Sequence, residues 1–168
     1  QISFTRDYEN IGVNAPRWMD VRATISLALS HLDPLPVPVT LDIDDLYIYA
    51  DPLLEKVFYN LVENAIRHGE KVTWIAFSCQ ESADGLIITC EDDGKGIPLA
   101  EKENIFTRKY FHHTGLGLFL SREILGITGI GIRECGEEGV GARFEISIPG
   151  TGFRFGEKPQ EPAGGGKE

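Results

Sequence analysis

The sequence has no run of about 18 apolar residues, so nothing in it reads as a membrane-spanning helix. It also lacks an excess of positive charge. With 16 Lys and Arg against 26 Asp and Glu, the net charge is −10. That argues against a nucleic-acid surface, where neutralising phosphates requires surplus Lys and Arg. Cysteine is scarce: Cys79, Cys90 and Cys135 lie far apart and form no C-x-x-C pair. A disulfide framework and a zinc site are both disfavoured, and a reducing, cytoplasmic setting is the natural one. Cys79 and Cys90 fall in strand-like runs and are expected as buried core thiols. No internal repeat is present, and the first residues do not read as a signal peptide. The chain starts at Gln1 rather than Met, which reads as a piece of a longer protein or a trimmed one.

What is present suits one soluble domain. The 168 residues are 42% hydrophobic and 25% charged, enough to bury a core. Residues 1–15 read as the end of a preceding helix or linker. Pro16 is expected to open a helix in which Trp18, Val21, Ile25, Leu27, Ala28 and Leu32 recur at helical spacing. The Pro-rich stretch from Asp33 to Val39 ends it, and "VTLDI" and "YIYA" read as short strands around the acidic turn Asp42 to Asp45. A helix follows with Asp51 as N-cap, Pro52 in the first turn and Gly69 as its stop. Its expected buried face is Leu54, Val57, Phe58, Leu61 and Ala65. "VTWIAFSC" and "LIITCED" read as strands about the turn "ADG". A short helix near "LAEKENIF", the helix "LGLFLSREIL" and the strands "IGIREC" and "ARFEISI" complete a domain over residues 16–150. Residues 151–168, rich in Gly, Pro and charge, read as a disordered tail. Mixed blocks of helix and strand predict an α+β fold: a two-layer sandwich with a mixed, mostly antiparallel sheet and helices on one face.

Within "YNLVENAIRHGE", Asn60, Asn64 and Arg67 fall on one stripe, since residues four apart are offset by about 40° around a helix. An amide oxygen is a hard neutral ligand suited to Mg²⁺, and Arg suits phosphate. Alone, such a stripe is more often a solvated face, since polar outer faces are the rule. Three glycine-rich elements downstream change the balance. In "EDDGKGI", a strand-end carboxylate at Asp92 precedes Gly94 and Gly96; a carboxylate accepts from an exocyclic amine, and glycines admit a planar ring. "TGLGL" opens a helix whose amides form an anion site. "GEEGVGARF" places Gly139 and Gly141 before the last strand. Each is weak alone; the ordered set points to a nucleotide pocket.

From about Trp18 to Pro149 the chain resembles the catalytic ATP-binding domain of sensor histidine kinases, within the GHKL or Bergerat-fold ATPases. "NLVENAIRH" is similar to the N box, "DDGKGI" to the first glycine box, "NIF" with its following aromatics to the F box, and "GLGL" to the second glycine box. "RDYENIGVNAPRW" resembles the junction leading into this domain in some archaeal kinases. The resemblance implies ATP and Mg²⁺ as cofactors, with Asn64 on the metal, Asn60 assisting, and Arg67 and His68 near the phosphates. Asp92 would read the adenine amine, and Gly94, Gly96 and Ile97 would shape the pocket. Lys109, Tyr110, Thr114, Gly115, Leu116, Gly117 and Leu118 would close around the triphosphate.

The segment from Ile97 to Thr114 is shorter than the usual lid, and Lys95 stands where proline is common. Lys102, Arg108 and Lys109 are expected in a mobile stretch of it, and His112 and His113 as lid residues. The implied activity is protein-histidine phosphotransfer. The acceptor His, on a dimerisation domain, and a downstream response regulator would lie outside this chain, and the intact protein could be membrane-anchored. Hydrolysing GHKL members carry a glutamate one turn before the metal asparagine, where this chain has Asn60. An anti-sigma-type serine/threonine kinase and a nucleotide-binding module without activity are the other readings.

Overall fold

The computed structural model describes residues 2–108 and 116–163. In chain order the elements are α1 (Ile2–Asn10), β1 (Arg17–Asp20), α2 (Val21–Ser30), β2 (Val39–Asp42), β3 (Leu46–Ala50), α3 (Leu54–His68), β4 (Ile75–Ser82) and β5 (Gly85–Asp92). Two 3₁₀ turns (Leu99–Glu101 and Asn104–Phe106), α4 (Gly117–Gly126), β6 (Gly131–Glu134), β7 (Arg143–Pro149) and β8 (Phe153–Phe155) follow. Five strands form the main sheet in the order β2-β4-β5-β7-β6. Only the β2–β4 pair is parallel. The mixed, mainly antiparallel sheet expected of an α+β fold is therefore there, and a second sheet, β1-β3-β8, accompanies it.

Alternation along the strands decides which face the helices cover. Ile75 and Phe77 of β4, Leu86, Ile88 and Cys90 of β5, and Phe144, Ile146 and Ile148 of β7 are buried. Phe58 of α3 meets Phe77 edge-on at 5.8 Å, and Phe106 meets Phe144 at 6.2 Å. Fully burying one such ring stabilises the fold by about 1.5–3 kcal/mol. The opposite face is wet and charged: Arg133, Glu145, Arg143 and Glu91 form a cross-strand ladder of ion pairs. Among the described residues no helix is long and apolar enough to cross a membrane.

Four expectations need correction. Pro16 opens no helix: Arg17–Asp20 is a strand paired with β3, and Trp18 packs on Tyr49 at 5.4 Å. The helix starts after Asp20, whose carboxylate accepts from Ala23 N at 3.0 Å as its N-cap. Asp51 is not the cap of α3, which starts at Leu54 after Leu53. Buried ahead of it, Asp51 accepts from Leu53 N through Oδ1 and from Gly12 N through Oδ2, each at 2.9 Å. The supposed tail contributes β8 to the small sheet, and Glu161 accepts from Trp18 N at 3.0 Å. Finally, Cys90 is buried, but Cys79 is only half-buried. Burial pushes the thiols of both upward.

Candidate functional site

One side of the site comes from the C-terminal half of α3, which the Leu54, Val57, Phe58 and Leu61 face holds against the sheet. Another comes from the loop leaving β5, and a third from the loop between β6 and β7. Between them lies a cavity of about 360 Å³, within the usual size of small-molecule sites. Asn64, His68, Asp92, Gly96, Ile97 and Leu118, all expected site residues, line it. So do Lys95 at its mouth, Pro98, Ile105, Glu138 and Ala142. Apolar walls from Ile97, Ile105, Leu118 and Ala142 thus share the cavity with the polar side chains of Asn64, His68, Asp92, Lys95 and Glu138.

Two adjacent carboxylates at the end of β5 have been given opposite environments. Asp92 is buried, and its Oδ1 accepts from Gly94 N at 2.8 Å and Ala142 N at 3.2 Å. Its Oδ2 takes no hydrogen bond from the described residues. Burial pushes the Asp92 carboxyl up; the two backbone donors pull it down, and the negative charges of Asp93 and Glu134 add to the rise. Asp93 points to solvent. The Thr73 hydroxyl, with backbone donors at Thr73 (2.7 Å) and Trp74 (3.1 Å), holds its carboxyl below the usual range. One carboxylate ties the loop to the start of β4, and the other is left with a free edge beside the cavity.

The glycines around Asp92 answer to close approach. A Cβ on Gly94 would sit 2.5 Å from Gly69 O, where the β5 loop crosses the end of α3 and Lys95 N donates to Gly69 O at 2.9 Å. Gly96 has φ +72, and a Cβ there would lie 2.5 Å from Glu137 O. Only glycine takes that backbone without strain.

The asparagine–arginine stripe divides. Asn64 lines the cavity. Asn60 lies at the contact of α3 with α4, its Nδ2 donating to Gly117 O at 3.0 Å and Ser121 Oγ at 3.3 Å. Arg67 pairs with Glu63 one turn back on the outer face. Gly94, Leu116 and Gly117 are near the site without lining the cavity. Lys109, Tyr110, Thr114 and Gly115, like His112 and His113, lie outside the described residues.

Lys102 is not part of a mobile stretch: its ammonium is drawn inside onto Glu134, Ile97 O and Gly136 O. Arg108 stacks over the rings of Tyr8 and Phe119, at 5.8 and 5.5 Å. The Ala142 amide and the Lys102–Glu134 pair escaped the sequence reading because both depend on contacts between distant segments that no local spacing encodes.

Residues 50–152 match the family described as histidine kinase-, DNA gyrase B- and HSP90-like ATPases. The alginate biosynthesis sensor protein KinB of Pseudomonas aeruginosa is 35% identical over 130 residues, covering 74% of this chain and 20% of that protein. The sensor protein KdpD of Escherichia coli is 28% identical over 149 residues, 79% of this chain and 16% of KdpD. This chain thus spans a fifth or less of the length of either relative. Among solved structures, the catalytic domain of the histidine kinase ThkA superposes with a TM-score of 0.67 at 25% identity, covering 82% of this chain and 98% of that one. The order of glycine loops, the helix beside them and these matches agree: the chain belongs to the family of histidine kinase-, DNA gyrase B- and HSP90-like ATPases.

Proposed function

We propose that this chain is the catalytic ATP-binding domain of a sensor histidine kinase, which seats Mg·ATP and presents its γ-phosphoryl group to a histidine on a dimerisation domain elsewhere. The observation that carries the reading is Asp92: a buried carboxylate with one oxygen pinned by Gly94 N and Ala142 N and the other unbonded, beside a cavity walled by Ile97, Ile105 and Leu118. Apolar walls with a buried hydrogen-bond acceptor beside them suit an adenine ring and its exocyclic amine.

The rest follows outward from that seat. Asn64 would offer its amide oxygen to Mg²⁺, a donor type this hard cation accepts. The ion, when bound, neutralises charge on the triphosphate. The start of α4 at Gly117, with Gly115 before it, would direct backbone amides at phosphate oxygens. His68, which lines the cavity, would lie near the phosphates, and Arg67 would have to exchange Glu63 for a phosphate to join it. Asn60, already committed to Gly117 O and Ser121 Oγ, would steady that helix start. An amide is no general base, so water activation at position 60 is absent from the scheme. Phosphoryl transfer then depends on positioning and charge neutralisation, with the acceptor supplied from outside. A response regulator would act downstream of the phosphorylated histidine.

Calorimetry with Mg·ADP and Mg·ATP, followed by an incubation with a dimerisation domain bearing an acceptor histidine, tests this. Binding, slow hydrolysis by the isolated chain and an acid-labile phosphate on the added domain are expected. Rapid turnover without any acceptor would favour a hydrolase, and failure to bind nucleotide would remove the reading altogether.

A further inference from the structure

The charged pair behind the cavity has no place in the scheme above. Glu134, at the end of β6, has a side chain with no solvent exposure. Its Oε2 accepts from Gly136 N at 2.9 Å and Arg143 N at 2.8 Å, so one oxygen pins both ends of the loop between β6 and β7. Its Oε1 meets Lys102 Nζ. The lysine, 17% exposed, gives its other two donors to Ile97 O at 3.1 Å and Gly136 O at 2.9 Å. All three ammonium donors are thereby used.

Neither charged side chain lines the cavity, but what they hold does. Ile97 is one wall. The pinned loop carries Ala142, another wall, whose N–H fixes the orientation of Asp92. The loop is doubled tightly: a Cβ on Gly136 would fall 2.3 Å from Gly141 O. The pair therefore bolts together the two segments that flank the base-reading carboxylate.

We propose that Lys102 and Glu134 are positioning residues that set the gap between the Ile97 and Ala142 walls and so confer the preference for adenine over guanine. This rests on the reading that a nucleobase docks at Asp92. A buried ion pair contributes direction more than stability, since an apolar pair of similar volume often stabilises a core equally well. Replacing it removes the bolts without removing the packing. Guanine, with a carbonyl where adenine has its amine, is rejected only while Asp92 is held against that edge.

The test uses the full chain and three variants: Lys102→Leu/Glu134→Leu, Glu134→Gln and Lys102→Arg. Melting temperature, affinities for Mg·ADP, Mg·GDP and inorganic tripolyphosphate, and hydrogen exchange at the Ala142 amide are measured for each. In the double variant the melting temperature is expected to fall, because the Gly136 and Arg143 amides lose their acceptor, with the chain still folded. Its ADP-over-GDP preference should fall at least tenfold, with tripolyphosphate affinity unchanged and faster exchange at Ala142. Lys102→Arg should restore most of the preference. A folded double variant with the parental preference overturns the proposal, and if that variant fails to fold, an unchanged preference in Glu134→Gln does the same. A parent that binds neither nucleotide, or binds both equally, overturns the underlying reading and this proposal with it.

Discussion

At the scale of single residues, the burial of Asp92 works against the fold. Its carboxyl titrates above its ordinary value, mainly because burial disfavours the charge. A carboxylate with a raised folded value adds stability only when protonated; that contribution fades as pH rises through the folded value, so at neutral pH the buried charge weakens the fold. Asp92→Asn should therefore melt at or above the parental temperature at pH 7, with the difference shrinking as pH drops into the acid range. Its affinity for adenine nucleotides should fall by the worth of a lost hydrogen bond with one unpaired group, about 1–3 kcal/mol. Thermal scans across pH together with calorimetry check both halves. Asn60 gives a second case. Asn60→Asp would set a carboxylate oxygen against Gly117 O and should destabilise by about 1–3 kcal/mol, readable in denaturant melts without nucleotide. The stripe of Asn60, Asn64 and Arg67 was readable because helical periodicity is local. Which of the three faces the cavity was not, because that depends on where α4 packs.

At the scale of elements, the main sheet and α3 were readable for the same local reason: β4, β5 and β7 alternate or run apolar between turn residues, and α3 carries an apolar face of period 3.6. The small sheet was hidden. The Trp18, Val21 and Ile25 spacing mimics a helix, although Asp20 three residues before Ala23 is an N-cap signature that marks the later start. "FRF" of β8 is three residues long in a stretch whose composition suggests disorder, and only pairing with β3 orders it. Ending the chain after Gly152 should thus uncover one edge of β3 and remove the partly buried Phe153 from the core's margin. About 1–2 kcal/mol of lost stability is a fall of roughly 2–8 °C for a chain of this size. Differential scanning calorimetry would show it, while affinity for Mg·ADP, read at a site on the other sheet, should stay within twofold.

For the molecule as a whole, a net charge of −10 repels the polyanion it is proposed to bind. Metal-free ATP should associate faster as salt rises from about 0.01 to 0.15 M, while the Debye length falls from about 30 to 8 Å. Mg·ATP, with less charge to screen, should respond less. Stopped-flow traces with a fluorescent nucleotide separate the two, and a rate for metal-free ATP that falls with salt would show local cations outweighing the global field. The hydrogen bond from Trp18 N to Glu161 has a different bearing. It joins positions 143 apart in sequence, so the stretch between them leaves and re-enters at nearly one point in space. Such a body can be spliced into an exposed hairpin of an unrelated host through short connectors without prising the host's strands apart. Evolution or an engineer could thus move this domain between architectures as a single inserted cassette.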